Sequence, residues 1–201
     1  LDLANNPLDP EARERYDSGG WQALRAYLLE RARGAERSWR AKLLLVGEGA
    51  VGKTNLLRRF RGEGFIERLD PTHNLEIKEF QLPHPEKPEV SMTLRAWDFG
   101  GQDVYHATHQ FFYGGKAVFL LVWNPRGDFT DSRLPQWLDR IKALAPNSPV
   151  LLVATHAERH AANIPLAQIQ RDYPVRGLWS IDSQTDRGIG DLKAAVAAEA
   201  A

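Results

Sequence analysis

The segment Gly47-Glu-Gly-Ala-Val-Gly52-Lys53-Thr54 limits what this chain can fold into more than any other. It follows Lys42-Leu-Leu-Leu-Val46, a short unbroken apolar run that reads as a buried strand, and it opens a helical pattern. Glycines spaced in this way between a strand and a helix let the chain turn tightly, so that successive backbone N–H groups point into one concavity. The positive end of the helix dipole faces the same concavity, which makes it a cradle for phosphate. The residues expected to line it are Gly47, Glu48, Gly49, Ala50, Val51, Gly52, Lys53, Thr54 and Asn55. Lys53 is expected to reach the outer phosphates and the Thr54 hydroxyl to ligate Mg²⁺.

The rest of the pattern predicts the sheet in which such a loop sits. Val118-Phe-Leu-Leu-Val-Trp123 and Val150-Leu-Leu-Val-Ala154 are again continuous apolar runs, as in strands covered on both faces. Between them Leu134, Trp137, Leu138, Ile141 and Leu144 fall on one helix face, and Ile189, Leu192 and Val196 repeat that spacing near the end. Strands alternating with helices imply an α/β fold with a doubly wound, mostly parallel sheet. One pair departs from this. Val90, Met92, Leu94 and Ala96 alternate with polar residues, and Leu75, Ile77, Phe80 and Leu82 change phase, which suggests a bulge near Lys78 and Glu79. With the loop Pro83-His-Pro-Glu-Lys-Pro88 between them, the two read as an antiparallel hairpin that places one antiparallel strand at the sheet edge.

Composition narrows the function. Lys plus Arg and Asp plus Glu number 26 each among 201 residues, so there is no basic footprint of a nucleic-acid binder. The absence of cysteine excludes thiolate metal sites, disulfides and a cysteine nucleophile. The most apolar stretch, residues 117–125, is far shorter than the ~20 residues of a membrane-spanning helix. The first twenty residues hold Asp2, Asp9, Glu11, Arg13 and Glu14 and no signal-like apolar run, so a cytoplasmic location is expected. The chain starts at Leu1 and its one methionine is Met92, which reads as a segment of a longer polypeptide.

Residues 1–38 differ from the remainder. Leu1-Asp-Leu-Ala-Asn-Asn-Pro-Leu8 has the L-x-L-x-x-N-x-L spacing of a leucine-rich repeat, and after Gly19-Gly20 a helical stretch places Trp21, Leu24 and Leu28 on one face. The reading is the end of a repeat region, a capping helix and a charged linker. The alternative is an ordinary N-terminal helix beside a fortuitous leucine pattern, because one repeat cannot bury itself.

A second motif, Trp97-Asp98-Phe-Gly-Gly101-Gln102, puts a carboxylate at the end of a predicted strand. In a doubly wound sheet ligands bind at that edge, so Asp98 is placed to hold Mg²⁺ through water, Gly101 N–H to approach a γ-phosphate, and Gln102 to orient an attacking water. Asp98-Phe99-Gly100 also matches a kinase tripeptide, but the other kinase segments are missing.

A phosphate loop together with D-x-x-G-Q resembles the Ras-like small GTPases, and the details resemble the Roc domain of Roco proteins. Those details are His106-Ala-Thr-His109-Gln110-Phe111-Phe112, Thr155-His156-Ala-Glu158 in place of the usual N-K-x-D, and the leucine-rich segment upstream. The resemblance implies a Ras-like fold over 39–201 that binds GTP and GDP with Mg²⁺, hydrolyses GTP slowly and regulates a larger protein. It implies neighbouring leucine-rich repeats and a COR domain in the same polypeptide, and a homodimer made mainly through COR. It makes Thr72 the switch threonine of the Mg²⁺ shell, Gly101 and Gln102 part of the second switch, His156 the residue over the base, and Ser180-Ile181-Asp182 the final base-side loop. Two departures stand out. Glu158 replaces the aspartate that receives guanine N1 and N2, one methylene longer, and Asn74 stands where glycine is frequent.

Weaker constellations have plainer readings. His106, His109, His156 and His160 lack a third ligand for zinc; Phe111, Phe112 and Tyr113 read as packing before they read as a binding surface. Arg58, Arg59 and Arg61 read as a solvated helix face, with a phosphate-facing arginine finger as the alternative. Two rival functions stay open: an adenine-nucleotide protein, favoured by Glu158, and a nucleotide-bound scaffold that does not hydrolyse.

Overall fold

The computed structural model describes residues 10–32, 39–70, 75–99, 117–125, 133–156 and 162–201. By their contacts the residues divide into two units, Leu1–Ser38 and Trp39–Ala201. In the first, helix α1 (Pro10–Ala32) starts at a proline, whose fixed φ suits a first helical turn, and is interrupted at Gly20, where φ is 64°. The Tyr27 hydroxyl donates to Glu11 across the interruption, at 3.4 Å. Leu24 is buried, but Trp21 and Leu28 remain 50% and 39% exposed, so the expected three-residue stripe reduces to one buried side chain.

The second unit is a six-stranded sheet formed by β1 (Arg40–Val46), β2 (Glu76–Pro83), β3 (Ser91–Asp98), β4 (Ala117–Trp123), β5 (Val150–Ala154) and β6 (Val175–Ser180), in the order β2-β3-β1-β4-β5-β6. All neighbours are parallel except β2 and β3. Every residue of β4 and β5 is buried, which is why both read as unbroken apolar runs.

Helices cover both faces. On one, α2 (Lys53–Phe60) and α5 (Ile189–Ala200) pack Leu56, Leu57, Phe60, Ile189, Leu192 and Val196 over Leu43, Leu45, Leu120 and Val153. On the other, α3 (Leu134–Leu144) and α4 (Leu166–Asp172) pack Leu134, Trp137, Leu138, Ile141 and Ile169 over Leu44, Phe119, Leu121 and Leu152. Each such side chain taken from water contributes roughly 1.5–3 kcal/mol.

The expected bulge at Lys78 and Glu79 is absent. β2 pairs with β3 in unbroken register from Glu76 opposite Asp98 to Pro83 opposite Ser91. The phase change has a different cause: Leu75 packs on the α3 side of the sheet, whereas Phe80 and Leu82 pack on the α2 side. A regular strand thus changes the face on which its apolar residues are covered. Ile77 is left 47% exposed.

The parallel strands end together. Leu45 lies opposite Asp98, Val46 opposite Leu121, Trp123 opposite Ala154, and Ala154 opposite Ser180, so the segments after β1, β3, β4, β5 and β6 all leave the same sheet edge. That edge is where a doubly wound sheet binds its ligand.

Replacing Leu120, wholly buried in the central strand β4, by alanine should lower the unfolding free energy by roughly 2–5 kcal/mol. Ile77→Ala on the sheet margin should change it by no more than about 0.5 kcal/mol. Chemical denaturation checks both, and equal effects would show that the core is not centred on β4.

Candidate functional site

Residues that follow β1, β3, β5 and β6, together with some between α2 and β2, meet around one cleft of about 320 Å³, lined by Gly49 to Asn55, Phe65, Glu67, Leu69, Asp70, Phe99, Thr155, His156 and Asp182 to Gln184. The phosphate-loop backbone is fixed by steric and conformational demands. Gly47 has φ 135°, and a Cβ there would lie 2.0 Å from the Val122 carbonyl oxygen of β4, so only glycine fits. Ala50 and Gly52 also take positive φ, 59° and 96°. Gly52 begins α2 with no side-chain cap, which leaves the helix's first N–H groups directed at the cleft.

Lys53 is almost fully buried, and its Nζ donates to Gly47 O (3.0 Å) and Glu48 O (2.6 Å). Burial lowers its pKa from the ordinary lysine value, opposed by the negative charges of Asp98 and Glu48. Thr54 Oγ1 donates to Asp98 Oδ2 at 2.7 Å. Asp98 is wholly buried, and among the described residues its Oδ1 has no hydrogen-bond partner. Burial raises the pKa of this carboxyl; the Thr54 hydrogen bond and the Lys53 charge oppose the rise, and Glu76 adds to it. A buried carboxylate oxygen without a donor is unfavourable by itself, and the hydroxyl–carboxylate pair is an oxygen donor set of the kind a hard divalent cation takes.

The other side of the cleft is held by Thr155, whose hydroxyl lies 2.9 Å from Val51 O and 3.1 Å from Trp123 O. One buried side chain thereby joins the phosphate loop to the ends of β4 and β5. His156 follows with φ 56° and lines the cleft.

Several expected residues have other surroundings. Glu48 does not line the cleft: its Oε1 accepts from Trp137 Nε1 (3.1 Å) and its Oε2 lies 3.5 Å from Arg133. Asn55 lines the cleft and at the same time exchanges two hydrogen bonds with the Ile66 main chain, at 2.9 and 3.1 Å. Ser180 is the last residue of β6 and Ile181 is wholly buried in the core, so of that trio only Asp182 reaches the cleft. Ser183 and Gln184 accompany it and were not singled out in the sequence. Phe65, Glu67 and Leu69, between α2 and β2, were likewise missed, having no motif to mark them.

The three arginines are not simply solvated. Arg58 pairs with Glu63 (2.9 Å) and donates to Gly64 O, Arg61 pairs with Glu63 (2.7 Å), and Arg59 reaches the segment after β6. Thr72, Asn74, Gly101, Gln102, Glu158, His106, His109, His160 and Phe111 to Tyr113 lie outside the described residues. Among the described residues no three His, Asp or Glu side chains cluster as a metal site, and no helix is long and apolar enough to cross a membrane.

The family model described as "Ras of Complex, Roc, domain of DAPkinase" matches residues 42–158. The chain is 42% identical over 178 residues to the probable serine/threonine-protein kinase roco5 of Dictyostelium discoideum, covering 66% of this chain and 6% of that protein. It is 32% identical over 174 residues to the leucine-rich repeat serine/threonine-protein kinase 1 of Mus musculus, covering 84% of this chain and 8% of that protein. It thus spans less than a tenth of either relative. Among solved structures, the GDP-bound RocCORdC of Methanosarcina barkeri Roco2 superposes with a TM-score of 0.69 at 32% identity, over 80% of this chain and 49% of that one. With strand order, phosphate loop and family model in agreement, the chain belongs to the Roc domain family of Ras-like proteins.

Proposed function

We propose that the chain is a guanine-nucleotide switch that binds GDP and GTP with Mg²⁺ and slowly hydrolyses GTP to GDP and phosphate. The observation that carries this reading is the pairing, at one sheet edge, of an uncapped helix N-terminus and buried Lys53 with the Thr54–Asp98 pair, whose carboxylate keeps one oxygen unpartnered. The GDP bound to the Methanosarcina relative supports guanine as the base. By the same resemblance, residues 1–38 are the end of a repeat region with its cap and linker, and 39–201 the Roc domain. The larger protein would carry a COR domain, assemble as a homodimer through it, and work in the cytoplasm.

Thr54 and Asp98, joined by Thr72, are the residues that would hold Mg²⁺; when bound, it supplies positive charge against the charge that develops between the β- and γ-phosphates. The phosphate-loop N–H groups and the α2 dipole hold the phosphates, and Lys53 neutralises the outer ones. Gln102 positions a water in line with the γ-phosphorus, so no covalent intermediate is required. Loss of the γ-phosphate frees Thr72 and Gly101, and the surface presented to partners changes. Thr155, His156, Glu158 and Asp182 form the base side of the site.

Calorimetric titration of the nucleotide-stripped chain with GDP and with ADP tests the reading. GDP should bind at least ~100-fold tighter, a difference of about 2.7 kcal/mol. Comparable affinities would move the adenine-nucleotide reading, favoured by the longer Glu158 carboxylate, to the front. Lys53→Ala should weaken GDP on the order of 100-fold, since it removes charge-assisted hydrogen bonds to phosphate; unchanged affinity would sink the phosphate-loop assignment.

Gln102→Leu should slow single-turnover hydrolysis by on the order of 10- to 100-fold while GDP affinity stays nearly unchanged. Equal rates in mutant and parent would remove Gln102 from the mechanism.

Asp98→Asn separates binding from folding. The raised pKa means that the folded chain disfavours the ionised carboxylate: the cost to stability is full above the folded pKa, shrinks as pH falls below it and vanishes below the ordinary carboxylate pKa. The amide keeps an acceptor for Thr54 and removes the charge. The nucleotide-free variant should therefore melt no lower than the parent, and the Mg²⁺ dependence of its GDP affinity should shrink. A markedly lower melting temperature would show that the Asp98–Lys53 attraction outweighs burial.

A further inference from the structure

The order of the sheet assigns a direction to the cleft. Phosphate-binding groups follow β1 and β3, while Thr155, His156 and residues 182–184 follow β5 and β6, which lie two and three strands from β1. At about 4.8 Å per strand, β6 is roughly 14 Å from β1. A nucleotide laid along the edge therefore has its phosphates over β1 and β3 and its base toward β5 and β6.

The segment after β6 is shaped by its own bonds. Asp182 Oδ1 accepts from the N–H groups of Gln184 (2.7 Å) and Thr185 (3.2 Å), and Asp182 N–H donates to Arg187 O (3.0 Å). Gly188 closes the turn with φ 72°, where a Cβ would lie 2.5 Å from Ser180 O. These bonds fix the turn but are all local to residues 180–188. Arg59 adds a link of another kind, because it stands on α2, the helix that begins with Lys53 and Thr54. Its Nε donates to Ser183 O at 2.6 Å and its Nη2 to Gln184 O at 2.9 Å, with the Asp186 carboxylate 3.7 Å away. Two donors of one rigid plane gripping successive carbonyls fix the orientation of that stretch as well as its position. The side chain is 21% exposed, and the bond to Ser183 O is the more shielded of the two.

We infer that Arg59 is a specificity-determining positioning residue: it holds the segment after β6 so that Ser183 and Gln184 are presented correctly to the guanine base. Its donors are engaged on main-chain carbonyls, the geometry of a clamp and not of a finger directed at phosphate. The inference rests on the guanine-nucleotide reading above. GDP and ADP share their phosphates and ribose, so displacing residues 183 and 184 changes only the part of the affinity that depends on the base.

The test is calorimetric titration of GDP and ADP against nucleotide-stripped parent, Arg59→Ala, Arg59→Lys and Arg61→Ala chains. In Arg59→Ala the ratio of ADP to GDP dissociation constants should fall by about tenfold, equivalent to about 1.4 kcal/mol, through weaker GDP binding with ADP binding nearly unchanged. Arg59→Lys should fall between Arg59→Ala and the parent, since an ammonium lacks the fixed fork that spans two carbonyls. Arg61→Ala, which among the described residues loses its pairing with Glu63, should keep the parent ratio. A parent that does not prefer GDP overturns the guanine reading and the clamp with it. A parent preference that survives in Arg59→Ala, or an equal loss for both nucleotides, overturns the clamp alone. Where Arg59→Ala does not fold, Arg59→Lys decides: a lowered ratio supports the clamp and a parent-like ratio overturns it.

Discussion

The seat of the phosphate loop on β4 is the constraint on which the site depends. Gly47 lies so close to the Val122 carbonyl that a single methyl group would overlap it, and on the other side of the loop the Thr155 hydroxyl reaches Val51 O. These contacts need β1, β4 and β5 side by side, in register and rigid, which is what three fully or largely buried parallel strands between two helix layers provide. The direction of the loop N–H groups, the exposed first turn of α2 and the position of Lys53 all follow from that seat. The wide apolar core therefore serves to hold a few backbone groups in a strained, left-handed path that no local propensity would select.

The same construction places charges where folding alone would not. Lys53 and Asp98 are both buried, and burial works against the charged form of each. Their mutual attraction offsets part of that cost, and Thr54 offsets part of the rest. Among the described residues, one Asp98 oxygen remains for something else to satisfy. A core that tolerates such groups has been shaped by binding at the expense of stability.

What could be read in the sequence was local. The phosphate loop was legible because its glycine spacing is itself the backbone requirement, and β4 and β5 because strands covered on both faces leave no polar position. α4 and β6 were not, since β6 is an edge strand with half-buried residues and no alternation, and α4 buries only Ile169. The cleft-lining stretch after β6 starts two residues later than the expected Ser180-Ile181-Asp182. Ser180-Ile181-Asp182 matches the expected order of motifs, but Ile181 is drawn into the core between β5 and α5 and pushes the cleft-lining stretch on to Ser183 and Gln184. Arg59 looked like one of three solvated arginines because its partners are 124 and 125 residues away in sequence. No pattern in a single sequence marks a contact made at that distance.

Glu48 shows how the remaining parts are tied together. An acidic side chain inside a phosphate loop would repel the charge the loop gathers, unless it points elsewhere. Here Trp137 Nε1 and Arg133 draw it away toward α3, on the face of the sheet opposite α2. Thr155 fastens the same loop to the ends of β4 and β5, Asn55 fastens the segment before β2 to α2, and Arg59 fastens the segment after β6 to α2. The segments of the cleft are thus tied to other parts of the fold by polar side chains. The apolar layers cannot supply this, because dispersion and burial set distances between helices and sheet without fixing the direction of a loop carbonyl. The fastenings run to both helix layers: Glu48 joins the phosphate loop to α3, and Arg59 joins the segment after β6 to α2. One helix, α2, begins beside the phosphate loop and grips the segment after β6.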